Sequence, residues 1–199
     1  MARTVVVGLG NPILTDDGVG IHVVREIVSR FTSHASRFTL HASRSTPHAS
    51  RLTSHVSRSD VTFAEASVGG LRLLDILTGY ERAILVDAIR TRDGKPGDIH
   101  RLRPRDLRTS LHSGSTHDLS LSGALALGRA MGMALPDDEA IVIIAIEVED
   151  VLTFGETCTP AVAAAIPRAV EAVLAELDLA YQCANIPVRG DSHGPEDSG

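Results

Sequence analysis

Residues 5–20 read VVVGLGNPILTDDGVG, and this stretch decides the fold of the chain. Residues 4–7 form a short β-branched, apolar run, which predicts a buried strand. Gly8 and Gly10 are expected to end that strand and let the backbone turn. Residues 11–17 then form a polar loop, and the apolar residues that follow recur at helical spacing. The stretch therefore predicts a strand–loop–helix unit of an α/β protein.

The polar loop carries two neighbouring carboxylates, Asp16 and Asp17, and open α/β sheets bind ligands just outside the carboxyl ends of their strands. Three interpretations of the loop compete. Either aspartate could cap the helix by accepting hydrogen bonds from free backbone N–H groups. A nucleotide-binding loop has little support, because Ile13 stands where GxGxxG needs its third glycine and two carboxylates would repel a pyrophosphate. The third interpretation, a metal-binding or acid–base carboxylate, is favoured by the rest of the chain.

Composition limits the class of protein. A chain of 199 residues with 43% hydrophobic residues is expected to form a single domain with a substantial core. The net charge of −6 argues against a general nucleic-acid-binding surface. No apolar run approaches the roughly 20 residues of a membrane helix, and the N-terminus is expected to enter a strand directly, without a signal peptide. The two cysteines show no metal-type spacing and are expected to be reduced thiols, which favours a cytoplasmic protein.

Residues 31–59 differ in kind from the rest of the chain. Histidines recur there at steps of seven, inside units such as HASRFTL and HASRSTP: His34, His41, His48 and His55. The repeated positions are His, Ser and Arg rather than the apolar positions of a coiled coil. We therefore predict one α/β domain over residues 1–183 that carries a low-complexity insertion at 31–59, followed by a disordered tail at 184–199.

Further strands and helices follow the insertion. Strands are predicted at residues 60–66, 82–89, 98–102 and 140–146, with the third as an antiparallel edge and the last, the most apolar, at the sheet centre. Helices are predicted after Gly69-Gly70, after Ser115-Thr116-His117-Asp118, which resembles a capping box, and from Thr159-Pro160 onward. Asp87 ends the strand that contains AILVDAI.

Three polar side chains lie next to predicted strand ends or helix starts: Asp17, Glu65 and His117. Two carboxylates and an imidazole are suitable ligands for a divalent metal. Neither the HExxH of common metallopeptidases nor the GxSxG of serine hydrolases is present. We take these three residues as the candidate catalytic and metal-contacting set and assign Asp16 mainly to loop or cap structure.

Five blocks of the sequence, in order, resemble those of the [NiFe]-hydrogenase maturation endopeptidases: GLGNPILTDDGVG, EASVGGLRLLDIL, ILVDAI with PGDI, STHDLSL and IEVEDVLTFGETCTPAV. The resemblance implies a three-layer α/β sandwich, with a mostly parallel five-stranded sheet between helices. It also implies that the family's acidic residue in the first loop, its acidic residue at the end of the second strand and its histidine that opens a later helix fall on Asp17, Glu65 and His117. Many family members carry Asp where this chain has Glu65.

The resemblance further implies an endopeptidase that removes the C-terminal peptide of a hydrogenase large-subunit precursor after nickel insertion. The nickel would be presented by the precursor rather than bound permanently, and we expect a cytoplasmic monomer with neither a nucleic-acid nor a membrane partner. Two alternatives are a nickel-sensing chaperone or binding module that does not cleave, and a self-sufficient zinc peptidase.

Overall fold

The computed structural model describes residues 2–34, 39–42, 54–58, 60–67, 71–108 and 121–184. Its helices and strands follow one another as β1 (Thr4–Leu9), α1 (Val19–His34), β2 (Thr39–Ala42), β3 (Ser54–Arg58), β4 (Val61–Ala66), α2 (Leu71–Leu77), β5 (Arg82–Ile89), β6 (Ile99–Leu102), α3 (Leu121–Ala130), β7 (Ile141–Glu147) and α4 (Pro160–Ala184). The predicted alternation of strands and helices is confirmed across these segments.

All seven strands of the described residues join one sheet in the order β2-β3-β4-β1-β5-β7-β6. β4, β1, β5 and β7 are parallel to one another, and β6 pairs antiparallel with β7. The mostly parallel five-stranded sheet with an antiparallel edge is thus confirmed. β2 and β3, which come from the predicted insertion, pair with each other and extend this sheet antiparallel to β4.

Helices cover both faces of the sheet, which makes the predicted three layers. One core forms between the sheet and the helices α1 and α4, with Val6, Val86 and Ile144 on its strand side. The other forms between the sheet and the helices α2 and α3, with Val7, Leu85 and Ala145 on its strand side. Successive side chains of β1, β4, β5 and β7 alternate between these two cores, as expected for strands buried on both faces.

Some boundaries differ from the predictions. β1 continues through Gly8 to Leu9, so Gly8 does not end the strand. α1 ends at His34, inside the segment predicted as an insertion, and the ring centroid of Phe31 lies 5.8 Å from that of Phe63. β7 is fully buried, but it lies between β5 and the edge strand β6 rather than at the centre. The hydrophobic pattern predicts that a strand is present, whereas the position of that strand in the sheet depends on long-range pairing.

Close backbone contacts explain the glycines of the first loop. Gly10 has a φ of 120°, and a Cβ on it would overlap the carbonyl oxygen of Asp17. A Cβ on Gly20 would overlap the carbonyl oxygens of Leu9 and Val86. The first turn of α1 therefore lies directly on the carboxyl ends of β1 and β5, and only glycine allows this approach.

Asp16 clamps this loop to the segment between β7 and α4. Its side chain is fully buried and accepts hydrogen bonds from the backbone N–H groups of Glu149 (3.3 Å), Asp150 (3.1 Å) and Thr159 (2.7 Å). The Thr159 hydroxyl donates a fourth bond, at 3.1 Å. The assignment of Asp16 to loop structure is thus confirmed, although its carboxylate binds backbone donors of the later segment and not the N-terminus of α1.

Among the described residues, no helix is long and apolar enough to cross a membrane. Cys158 is a free cysteine, and burial, together with the negative charge of nearby Asp16, raises the pKa of its thiol to about 11. The predicted capping box at 115–118, the tail beyond residue 184 and much of the histidine repeat lie outside the described residues.

We expect Asp16→Asn to destabilise the fold by about 2 kcal/mol or more, because in either orientation the new NH2 group faces backbone donors that the carboxylate now accepts. Asp17→Asn should cost less than about 1 kcal/mol, since the amide oxygen of the new side chain can still accept the bond from the Asn11 N–H, now 2.7 Å long. Urea unfolding of both variants measures the difference. A larger loss for Asp17→Asn would contradict the clamp.

Candidate active site

Asp17 lies at the end of the first loop, directly before α1 and beside the carboxyl end of β1. The side chain is half-buried, and its Oδ2 accepts a hydrogen bond from the Asn11 N–H at 2.7 Å. The carbonyl of Asp17 is held against Gly10, as described above. The loop thus fixes the backbone of Asp17 at the rim of the sheet where open α/β proteins bind ligands.

Asp87 lies near the carboxyl end of β5, the strand next to β1. Burial raises the pKa of this carboxyl to about 7, the hydrogen bond from the Ala88 N–H (2.9 Å) opposes the rise, and the negative charge of Asp17 adds to it. Asp17 and Asp87 therefore form a pair of interacting carboxylates. A pair of this kind at a strand-end rim is typical of a cation or acid–base site.

Glu65, near the end of β4, has a different environment. Both of its carboxylate oxygens accept hydrogen bonds from the Arg25 guanidinium, at 2.9 and 2.8 Å. His22 lies close by on α1, and its pKa is lowered by burial and by the positive charge of Arg25, while the charge of Glu65 acts in the opposite direction. The charge of Glu65 is thus already balanced within α1 and β4.

Strand alternation separates the two acidic residues. Glu65 is level with Gly8 of β1 and Val86 of β5, so its side chain lies on the α1 and α4 face of the sheet. Asp87 follows Val86 and is level with Ala145 of β7, so its side chain lies on the α2 and α3 face. Asp87 therefore shares a face with the helix α3, whereas Glu65 does not.

His117 lies outside the described residues, four residues before the described start of α3 at Leu121. Its assignment, and that of the set Asp17, Glu65 and His117 as a whole, stays a prediction. Among the residues that the structure describes, no three His, Cys, Asp or Glu side chains come together as a metal site.

Asp87 ends a predicted strand but is not among the three residues selected from the sequence. The alternation of the run AILVDAI carries the signal that identifies it, because every second residue faces the same helical layer.

Another buried carboxylate lies at the end of β7. Glu147 accepts hydrogen bonds from the Thr91 N–H (2.5 Å) and from the Thr91 hydroxyl (3.0 Å). The Nε2 atom of His100 lies 3.6 Å from this carboxylate and has no hydrogen-bond partner among the described residues.

Comparison with known proteins gives the same family as the sequence blocks. The sequence model of the hydrogenase maturation proteases matches residues 48–176. The hydrogenase maturating endopeptidase HybD from E. coli is 25% identical, with a TM-score of 0.66 over 89% of this chain and 93% of HybD. An endopeptidase from Escherichia coli solved in solution is also 25% identical, with a TM-score of 0.62 over 89% of this chain and 93% of its own.

The [NiFe] hydrogenase maturation protease HybD from Thermococcus kodakarensis shares the fold, at 21% identity and a TM-score of 0.53 over 88% of this chain and 98% of its own. No curated protein sequence matches the chain. The family model covers more than half of the 199 residues, including Asp87 and His117 but not the first loop with Asp17. On these matches and this fold, the chain belongs to the hydrogenase maturation protease family.

Proposed function

We propose that this protein is an endopeptidase that removes the C-terminal peptide of a [NiFe]-hydrogenase large-subunit precursor after nickel insertion, in the cytoplasm and as a monomer. The observation that carries the proposal is the carboxylate pair of Asp17 and Asp87 at the carboxyl ends of β1 and β5. Family membership gives the reaction class, and this pair is the group of described residues that is best suited to meet a cation.

Charge balance supports a cation that arrives with the substrate. The positive charge of Arg25 neutralises Glu65. The carboxyl group of Asp87, in contrast, is buried and is affected by the negative charge of Asp17. Binding a divalent cation between Asp17 and Asp87 would remove their repulsion and lower the pKa of Asp87. A nickel centre already held by the precursor could supply such a cation, with His117 as a third contact from the segment before α3.

Docking of that centre would bring one peptide bond of the precursor to the rim. The nickel would polarise the reacting carbonyl or water, and a carboxylate oxygen that it leaves unbound can accept the proton of the attacking water. The same carboxyl can return the proton to the departing amine. Asp17 and Asp87 thus serve both recognition of the cation and transfer of the proton.

The pKa of Asp87 predicts a pH-dependent stability of the precursor-free protease. The folded state keeps a proton on Asp87 up to about pH 7, whereas the unfolded chain loses it near the ordinary aspartate pKa of 3.8. The unfolded state therefore binds fewer protons between these values, and this residue lowers the free energy of unfolding as the pH rises through them.

Asp87→Asn keeps the acceptor for the Ala88 N–H but removes the titration, so its stability relative to wild type should increase between about pH 5 and about pH 8. Urea unfolding of both proteins at each pH gives the difference between their free energies of unfolding. Titration of the histidines affects both proteins equally and therefore cancels from this difference. Asp93→Asn, at an exposed aspartate, is the control and should follow wild type. A difference that does not change with pH would contradict the raised pKa.

The site assignment predicts a ranking of variants in processing. Asp17→Asn, Asp87→Asn and His117→Ala should each reduce the rate at least about a hundredfold, because each removes a cation contact or a proton acceptor. Glu65→Gln should reduce it by less than about tenfold, because Glu65 contacts Arg25 on the other face. Mass spectrometry of a nickel-loaded precursor measures the rate.

The same measurement decides between two assignments of the second acidic residue. Complete loss in Glu65→Gln with normal processing in Asp87→Asn would favour the set Asp17, Glu65 and His117 over the set with Asp87. Melting curves of all four variants serve as the control for folding.

The proposal also predicts that wild type cleaves a nickel-loaded precursor and leaves a nickel-free precursor intact, since the empty precursor lacks the cation that Asp17 and Asp87 would meet. Adding nickel to the empty precursor should restore cleavage. Elemental analysis should use a variant with His34, His41, His48 and His55 changed to Ala, to exclude metal bound by the repeat.

The alternatives give other results in that experiment. Binding of the loaded precursor without loss of mass would point to a chaperone that does not cleave. Equal cleavage of the empty precursor, or stoichiometric zinc in the active protease, would point to a self-sufficient peptidase.

A further inference from the structure

Two loops at the rim of the sheet present large apolar side chains to solvent. Ile13 in the first loop is 48% exposed, and Leu152 and Phe154, between β7 and α4, are 80% and 79% exposed. Exposed apolar clusters of this kind commonly mark interaction sites. We call these three residues the loop platform.

The loop platform is preformed. Leu14 and Phe154 form an isolated antiparallel bridge. On either side of it, the Gly155 N–H donates to the Ile13 carbonyl and the Thr15 N–H donates to the Thr153 carbonyl, both at 3.1 Å. A surface that is already ordered loses little conformational freedom when a partner binds, so its apolar area contributes more fully to affinity.

Side chains hold both loops in this arrangement. The Asp150 carboxylate accepts bonds from the N–H groups of Leu152 (3.1 Å) and Thr153 (3.0 Å). The buried Asp16 carboxylate ties the first loop to the segment from Glu149 to Thr159. These hydrogen bonds fix the backbone that carries Leu152 and Phe154, so both side chains remain exposed at the rim.

The position of the loop platform is continuous with the carboxylate pair. Ile13 lies four residues before Asp17 in the same loop. The other loop begins just after β7, whose neighbour β5 carries Asp87. A polypeptide lying across the loop platform would therefore extend toward Asp17 and Asp87.

The charges around the loop platform limit the kind of partner that can bind there. Glu149 and Glu156 are both exposed and flank Leu152 and Phe154 in sequence, and the chain as a whole carries a net charge of −6. Opposite charges across an interface steer encounter and select the partner. An apolar segment with a nearby Lys or Arg complements these features, whereas a second copy of this acidic chain would bring like charges together.

We propose that the loop platform binds an apolar segment of the precursor next to the cleaved bond, with a basic residue of the same segment beside Glu149 or Glu156. The inference rests on the proposed function and adds a determinant of substrate affinity that is separate from the carboxylate pair. Phe154 and Leu152 supply the apolar contact, and the two glutamates supply the charge.

The test compares Phe154→Ser with Met131→Ser in processing of the nickel-loaded precursor. Met131 is similarly exposed, at 70%, but it follows α3 and precedes β7, so it lies toward the amino ends of the strands, away from the rim. Phe154→Ser should raise KM about tenfold with kcat nearly unchanged, as for loss of one apolar anchor. Met131→Ser should match wild type, and both variants should keep the melting temperature.

Charge is tested with Glu149→Gln combined with Glu156→Gln, which should raise KM and reduce its dependence on salt. An unchanged KM in Phe154→Ser, or a loss confined to kcat, would overturn the inference. A shift of the protease from dimer to monomer in Phe154→Ser, with KM unchanged, would assign the surface to self-association and would also overturn it.

Failure of the proposed function gives a distinguishable result, because wild type would then not cleave the precursor at all. Titration calorimetry of the loaded precursor against wild type and Phe154→Ser still tests the loop platform in that case. A dissociation constant about tenfold weaker in the variant supports the docking surface. Equal dissociation constants, or no binding by wild type, refute it.

Discussion

The buried carboxylate of Asp16 is the interaction on which the rim of this protein depends. Neither of the two loops that meet there forms regular secondary structure, so their backbone N–H groups need other partners. Asp16 accepts four hydrogen bonds, three of them from the backbone between Glu149 and Thr159. Charge-assisted bonds of this number compensate the cost of burying the carboxylate. As a result, Asp17 and the loop platform have fixed positions relative to the sheet.

Neighbouring aspartates thus divide two tasks. Asp16 is directed inward and satisfies backbone donors. Asp17 is half-buried at the rim, and its negative charge adds to the rise that burial causes in the pKa of Asp87. Gly10 makes this division possible, because the Asp17 carbonyl occupies the space where any other residue would place a Cβ. Structural and functional carboxylates can therefore stand next to each other in sequence without competing for the same partners.

Much of the fold could be predicted from local pattern, because buried strands such as AIVIIAI and the amphipathic last helix are determined by residues close in sequence. Asp17 was found for the same reason, as it follows a strand and precedes a helix. The environment of Glu65 could not be predicted, because its partner Arg25 is 40 residues away on another element. Asp87 was within reach of prediction, but only by following strand alternation to decide which face each acidic residue occupies.

The geometry of the sheet also explains how residues 31–59 can be accommodated. α1 begins at the carboxyl ends of β1 and β5 and runs back across the sheet, so it ends at His34, near the amino ends of the strands. β4 starts at that same end, where the Thr4 N–H donates to the Asp60 carbonyl at 2.8 Å. The insertion therefore leaves and rejoins the domain at the rim opposite Asp17 and Asp87. Its strands β2 and β3 extend the sheet beyond β4, and pairing there satisfies backbone groups of β4 that an edge strand would expose. Added sequence at this edge can thus be paired by the sheet, because it lies laterally beyond β4, the outermost of the parallel strands.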